Sequence, residues 1–101
     1  MSGENWIPGP WKTTRVRKKS GAVKVEISSP DGKWWYFARV WVRLKDAPAD
    51  DPQGVANAHL IAAAPELYEA LQEAKREMRD WGIDHPAMKM IEAALRKARG
   101  E

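Results

Sequence analysis

Between Trp34 and Lys45 the chain alternates in a way that fixes its local geometry. Trp34, Tyr36, Ala38, Val40, Val42 and Leu44 are all apolar, while Trp35, Phe37, Arg39, Trp41, Arg43 and Lys45 interleave rings with cations. A β-strand sends successive side chains to opposite faces, so this run predicts a strand with one continuous apolar face and one aromatic-cationic face. Upstream, Val23, Val25 and Ile27 alternate with Lys24 and Glu26, predicting a strand over 22–28, and 11–18 predicts another. The breaks between them, Lys19-Ser20-Gly21 and Ser29-Pro30-Asp31-Gly32, carry turn chemistry, since proline presets φ and glycine accepts the closing geometry. Three strands joined by such turns read as an antiparallel β-meander. Before it, Ile7-Pro8-Gly9-Pro10 is too rich in breakers for regular structure, and 1–10 reads as a loose lead.

After a loop at 46–50 the period changes from two to that of a helix. Asp51-Pro52 reads as an N-cap followed by proline at the first helical position. The helix expected over 52–64 carries Val55, Ala56, Ala58, Leu60, Ile61, Ala62 and Ala63, apolar almost all round, which predicts burial between layers. Asn57 and His59 interrupt it. Their side chains diverge by about 200° and cannot both enter one site; His59 reads as a buried, hydrogen-bonded histidine. Pro65 ends or bends this helix.

The next helix, over 65–81, carries an apolar seam of Leu67, Leu71, Ala74, Met78 and Trp81. Glu66, Glu69, Glu73, Glu77 and Asp80 lie on one flank, and Tyr68, Gln72, Lys75, Arg76 and Arg79 on the other. Gly82 fits a C′ position, with Ile83 able to touch Met78. Asp84 or His85 caps a last helix from near Pro86, whose apolar side is Ala87, Met88, Ile91, Ala94, Leu95 and Ala98. The expected class is α+β: a three-stranded antiparallel meander at 11–45 followed by two to three helices at 52–99, in one small domain spanning 1–101. The helical stripes offer more apolar surface than three short strands cover, so a homo-oligomer is expected.

Composition narrows the chemistry. The chain has 101 residues, no cysteine, two histidines and a net charge of +3. Without cysteine there is neither a disulfide framework nor a thiolate metal site, which suits a reducing cytosol. No signal-peptide pattern opens the chain, and no apolar run approaches bilayer length, so no membrane partner is expected. The two histidines form no i,i+4 metal pair, the glycines form no phosphate loop, and no nucleophile-base pair stands out. The sequence therefore predicts no enzyme, no cofactor and no metal. Lys12, Arg15, Arg17, Lys18, Lys19 and Lys24 crowd the first 25 residues against a single acid, Glu4, a bias toward an anionic partner. A solvated edge strand bearing lysines also accounts for them.

Flat rings beside guanidinium groups suit a flat anion such as a nucleotide or nucleic acid. Trp35, Phe37 and Trp41 are the candidate stacking rings, and Arg39, Arg43, Arg76 and Arg79 the candidate phosphate donors. Asn57 and Tyr68 complete the candidate ligand-binding set. The same residue types also suit a two-sided core or a subunit interface, where tryptophan and arginine are enriched.

Two segments carry a family resemblance. Pro8-Gly9-Pro10-Trp11-Lys12 resembles the "TPGPW" opening of many small bacteriophage and prophage proteins. The run from Val55 to Leu71 resembles their "ANARLIAAAPELLEAL" helix, with His59 standing where arginine is common and Tyr68 where leucine is common. The helix after Gly82 lies outside the resemblance. The architecture is also similar to phage anti-Thoeris sponges, which oligomerise and sequester cyclic ADP-ribose-type immune signals, and some of which hold cyclic oligonucleotides. That similarity implies a non-enzymatic counter-defence protein in the cytoplasm of an infected bacterium, binding a cyclic nucleotide or ADP-ribose-type signal. The alternative is a phage interaction protein that binds a host protein or nucleic acid through the same basic-aromatic surface.

Overall fold

The computed structural model describes residues 6–30 and 36–101. The expected turn at Asp31-Gly32 and the rings of Trp34 and Trp35 lie outside the described residues. Three strands come first, β1 (Lys12–Arg17), β2 (Val23–Ser28) and β3 (Ala38–Arg43), and three helices follow, α1 (Pro52–Ala62), α2 (Ala64–Asp80) and α3 (Ala87–Ala98). The sheet order is β1-β2-β3 with both pairs antiparallel, the α+β meander that the alternation predicts. The chain divides into two compact units, Ile7–Pro65 and Glu66–Glu101, the second also taking in Trp6.

In the first unit the apolar alternation of β2 and β3 becomes the core. Val23, Val25, Val42 and Ala58 form a buried cluster, with Val40 and Val55 packed against it, and Ile27 is fully buried nearby. The β1–β2 turn closes through Lys18 N–H to the Ala22 carbonyl at 2.8 Å and Gly21 N–H to the Lys18 carbonyl at 2.9 Å. Gly21 has φ +93°, a conformation that a side chain disfavours.

Helix α1 starts where its sequence signals. The Asp51 side chain accepts a hydrogen bond from the Gln53 amide at 3.0 Å, and Pro52 holds the first turn. The helix is not buried all round, as its apolar composition predicts: within it only Gly54 and Ala58 are buried, and Leu60 is 62% exposed. The reason is size. Gly54 and Ala58, one turn apart, let the helix lie against the backbone of β3, where a Cβ on Gly54 would stand 2.8 Å from the Trp41 carbonyl oxygen. Val55 meets the core as the strand's apolar face requires, but Leu60 and Ile61 point away from it. His59 is exposed rather than buried, since it lies off that small-residue stripe.

In the second unit the buried stripe of α2 also departs from the expected seam. Leu67 and Trp81 are exposed, Leu71, Ala74 and Met78 are half-buried, and Tyr68 is 4% exposed. A ring with a polar tip can be buried when its hydroxyl finds partners, and here it does. Helix α2 stops in a Schellman arrangement, with Ile83 N–H on the Met78 carbonyl at 2.8 Å, Gly82 N–H on the Arg79 carbonyl at 3.1 Å, and Gly82 at φ +66°. The His85 Nδ1 accepts the Ala87 amide at 3.0 Å ahead of α3, the capping role expected of it. Leu95 is buried on α3, and Gly100 ends that helix with φ +83°.

Gly54→Ala tests the close approach. Alanine is favoured over glycine in a helix by about 1 kcal/mol, so an uncrowded site would gain stability. Here the new methyl meets backbone that cannot swing aside, and overpacking of this kind costs about 1–3 kcal/mol. Thermal unfolding should therefore show Gly54→Ala melting below the parent protein; an equal or higher melting temperature would contradict the packing of α1 on β3.

Candidate functional site

Residues directly opposite one another in an antiparallel pair lie on one face of the sheet. Lys24 pairs with Trp41 and Glu26 with Arg39, while on the other side Val16 faces Lys24 and Thr14 faces Glu26. These residues form the outer face, opposite the Val25–Val40 pair that looks toward α1.

At its centre stands Trp41, 38% exposed. Three cations surround its ring: Lys18 at 5.7 Å, Arg39 at 5.9 Å and Lys24 at 6.0 Å from the centroid. Lys24 also stands 5.3 Å from the ring of Tyr36. Its ammonium pairs with the Glu26 carboxylate at 3.0 Å, and the two side chains are only 12% and 20% exposed. Rings favour a nearby cation through their quadrupole, and the carboxylate offsets the cost of removing the ammonium from water. The ring of Phe37 meets Trp11 edge-on, with centroids 4.8 Å apart, and its amide donates to the Ile27 carbonyl at 2.9 Å.

Arg43 is not part of this face. The β2–β3 register shifts between Val23 and Lys24, so that Val23 pairs with Arg43 and Lys24 with Trp41. One step on β2 thus answers two on β3, the count of a β-bulge, which breaks the alternation and re-aims a side chain. The Arg43 guanidinium turns to Asp50, with Nε 3.7 Å from Oδ1 and without a hydrogen-bond partner. Asp50 is also paired with Arg15 from β1. Beside the bulge a cleft of about 340 Å³ is lined by Trp41, Arg43, Leu44, Ala47, Ala49 and Asp51. Val42 lines it too, and the amide of Asp51, the N-cap of α1, donates to the Val42 carbonyl at 2.5 Å.

The other candidates are distributed differently. Asn57 is exposed on α1, in the same unit as Trp41. Tyr68, Arg76 and Arg79 belong to the second unit. Arg76 and Arg79 are exposed, and Arg76 pairs with Glu73 at 2.9 Å across the line between the acidic and basic flanks. Tyr68 is interior: its ring meets Trp6 edge-on at 4.7 Å, and its hydroxyl takes a hydrogen bond from Gln72 at 3.3 Å and from Arg99 at 3.0 Å. The Glu101 carboxylate and then the Tyr68 hydroxyl hold the Arg99 guanidinium in its charged form and raise its pKa. The structure thus brings Arg39 and Trp41 together, sets Phe37 just ahead of β3 against Trp11, and turns Arg43 away to Asp50. Lys18, Lys24 and Glu26 are members of the site that reading the 34–45 run alone misses. The signal for two of them was present, because Lys24 and Glu26 occupy the polar alternation of β2, the strand that pairs with β3. Tyr36, expected on the apolar even face, precedes β3 and stands half-exposed, with the centre of its ring 5.3 Å from the Lys24 ammonium. Leu44, expected on that face too, follows β3 and is exposed.

Among the described residues, no group of three or more His, Cys, Asp or Glu side chains is placed to hold a metal ion, and no helix is long and apolar enough to cross a membrane. The arrangement can bind by stacking and charge. It is the surface of a small phage protein. The chain belongs to the family of Salmonella phage P22 protein Y8K6, whose family model matches residues 1–101, including the helix after Gly82 that the two sequence motifs leave out. No curated protein and no solved structure matches the chain.

The interior position of Tyr68 has a direct check. Tyr68→Ala removes a buried ring and should destabilise the protein by about 3–5 kcal/mol, whereas Tyr68→Phe keeps the ring and should cost less. Urea unfolding followed by circular dichroism measures both; a Tyr68→Ala variant as stable as the parent would mean that the ring is not core.

Proposed function

We propose that this phage protein is a non-enzymatic counter-defence protein that binds and sequesters a cyclic nucleotide or ADP-ribose-type signal on the outer face of its sheet. The observation that carries the reading is the half-exposed ring of Trp41 with three cations within 6.0 Å of its centroid. A nucleotide needs a ring for its base and charge-assisted donors for its phosphates. Trp41 supplies the first, and Lys18 and Arg39 the second. Lys24 is already matched by Glu26, and Arg43 by Asp50. The adjoining cleft of about 340 Å³ lies at the small end of the range for small-molecule sites, about 300–1,000 Å³. The exposed Leu67 and Trp81 support self-association as a homo-oligomer.

Calorimetry with cyclic di-AMP, cyclic di-GMP, a cyclic trinucleotide and cyclic ADP-ribose tests the reading. At least one should bind with fixed stoichiometry. Trp41→Ala should then weaken it by about 1–3 kcal/mol, the worth of a base stacked on an aromatic side chain, with far-UV circular dichroism unchanged. Arg39→Ala should weaken it further. Binding of none of them, together with affinity for single-stranded oligonucleotides that grows with length and falls steeply with salt, would replace the sponge with a nucleic-acid binder. Specific capture of a host protein would replace it with an interaction protein.

A further inference from the structure

Rings and cations explain a base and a phosphate, and the Lys24 ammonium accounts for one oxygen of Glu26 but not for the other. A carboxylate repels phosphate, yet this one stands in the middle of the candidate anion surface, opposite Arg39 and two residues from the Lys24 whose ammonium lies 6.0 Å from the centre of the Trp41 ring. Its side chain is 20% exposed, so it is partly desolvated and still reachable. Oε2 is held by the Lys24 ammonium at 3.0 Å, which fixes the direction of the group. Among the described residues no donor is paired with Oε1. An ionised carboxylate is an acceptor only. Such a fixed, half-open acceptor beside a stacking ring asks for a neutral hydroxyl donor on the ligand. In a nucleotide the groups of that kind nearest the base are the ribose hydroxyls, and carboxylates bind the ribose 2′-hydroxyl elsewhere by the same chemistry.

We infer that Glu26 selects the sugar, accepting a ribose hydroxyl so that the Trp41 face takes ribonucleotides in preference to their 2′-deoxy counterparts. The inference rests on the nucleotide reading and deepens it. The ring gives no preference between bases or sugars, because every base has a π-face, and Lys18 and Arg39 read only phosphate charge. Glu26 is the member of the set whose hydrogen-bonding need one sugar meets and the other leaves unmet. A site built to bond a hydroxyl discriminates against the analogue that lacks it, because the polar group is then left without its partner.

The test titrates the full chain with 3′,5′-linked cyclic di-AMP and cyclic di-GMP and with the 2′-deoxy form of each. The parent protein should bind a ribose form at least about tenfold tighter than its deoxy form, a difference of about 1.4 kcal/mol. Glu26→Ala should bring the two affinities together, whatever common gain both ligands draw from the lost repulsion and the freed Lys24 ammonium. Glu26→Gln, which keeps an acceptor oxygen and the side-chain volume, should retain part of the preference, and it serves as the reading if Glu26→Ala fails to fold. Equal affinities for the two sugars in the parent protein, or a preference unchanged in Glu26→Gln and Glu26→Ala, would overturn the role of Glu26 while leaving the nucleotide site standing. Absence of binding by both sugar forms, in a protein whose circular dichroism shows it folded, would overturn the inference together with cyclic-dinucleotide binding.

Discussion

The approach of α1 to β3 sets the geometry on which the candidate site depends. The helix reaches the strand through Gly54 and Ala58, close enough that a single added methyl would press on the Trp41 carbonyl. The residue whose backbone Gly54 approaches from the inside is the one whose ring stands at the centre of the outer face. Helix packing and ring presentation are thus two sides of one peptide unit, with no mobile loop between them. Side chains on a rigid strand backed by a packed helix are held more narrowly than side chains on loops.

The charge pattern of the outer face follows a related economy of parts. Lys24 is neither free nor simply neutralised: its ammonium lies near two rings, Tyr36 and Trp41, and on one carboxylate. Because the rings favour the cation without cancelling its charge, the pair with Glu26 orients both groups more than it hides them. Lys18 and Arg39 stand beside the same ring, and Glu26, opposite Arg39, is the one carboxylate that β2 sets among these three cations, which leaves a positive surplus. The exposed arginines of α2 carry charge of the same sign, but they belong to another compact unit and are not needed for this surplus.

Much of this was legible in the order of residues. The alternation in 22–28 and 34–45 predicts two strands, which form over the shorter spans Val23–Ser28 and Ala38–Arg43 with the expected faces as far as Val42. Asp51-Pro52 and Gly82 mark helix ends by capping and left-handed geometry that the structure reproduces. What failed to show has identifiable causes. Arg43 continues the odd alternation on paper, but a register shift is a property of a strand pair, so no single strand announces it. Helix α1 is apolar in name on most sides, yet alanine contributes little to burial, and the side that packs is chosen by the smallness of Gly54 rather than by hydrophobicity. In α2 the apolar period favours Leu67, whereas Tyr68 is the buried neighbour because Gln72 and Arg99 satisfy its hydroxyl; those partners are four and thirty-one residues away. A period count weighs apolar surface and is blind to such distant partners. The outer face was half visible, since β3 displayed its rings and arginines while Lys24 and Glu26 awaited the pairing that brings them alongside.

Asp50 shows how a loop can govern a sheet. Arg15 reaches it from β1 and Arg43 from β3, the two strands that flank β2 and share no hydrogen bonds with each other. A carboxylate held by both outer strands acts as a cross-brace: rotating either strand about β2 would pull its arginine off the shared anchor. Here one acidic side chain, outside the sheet, gives the two margins a shared electrostatic anchor.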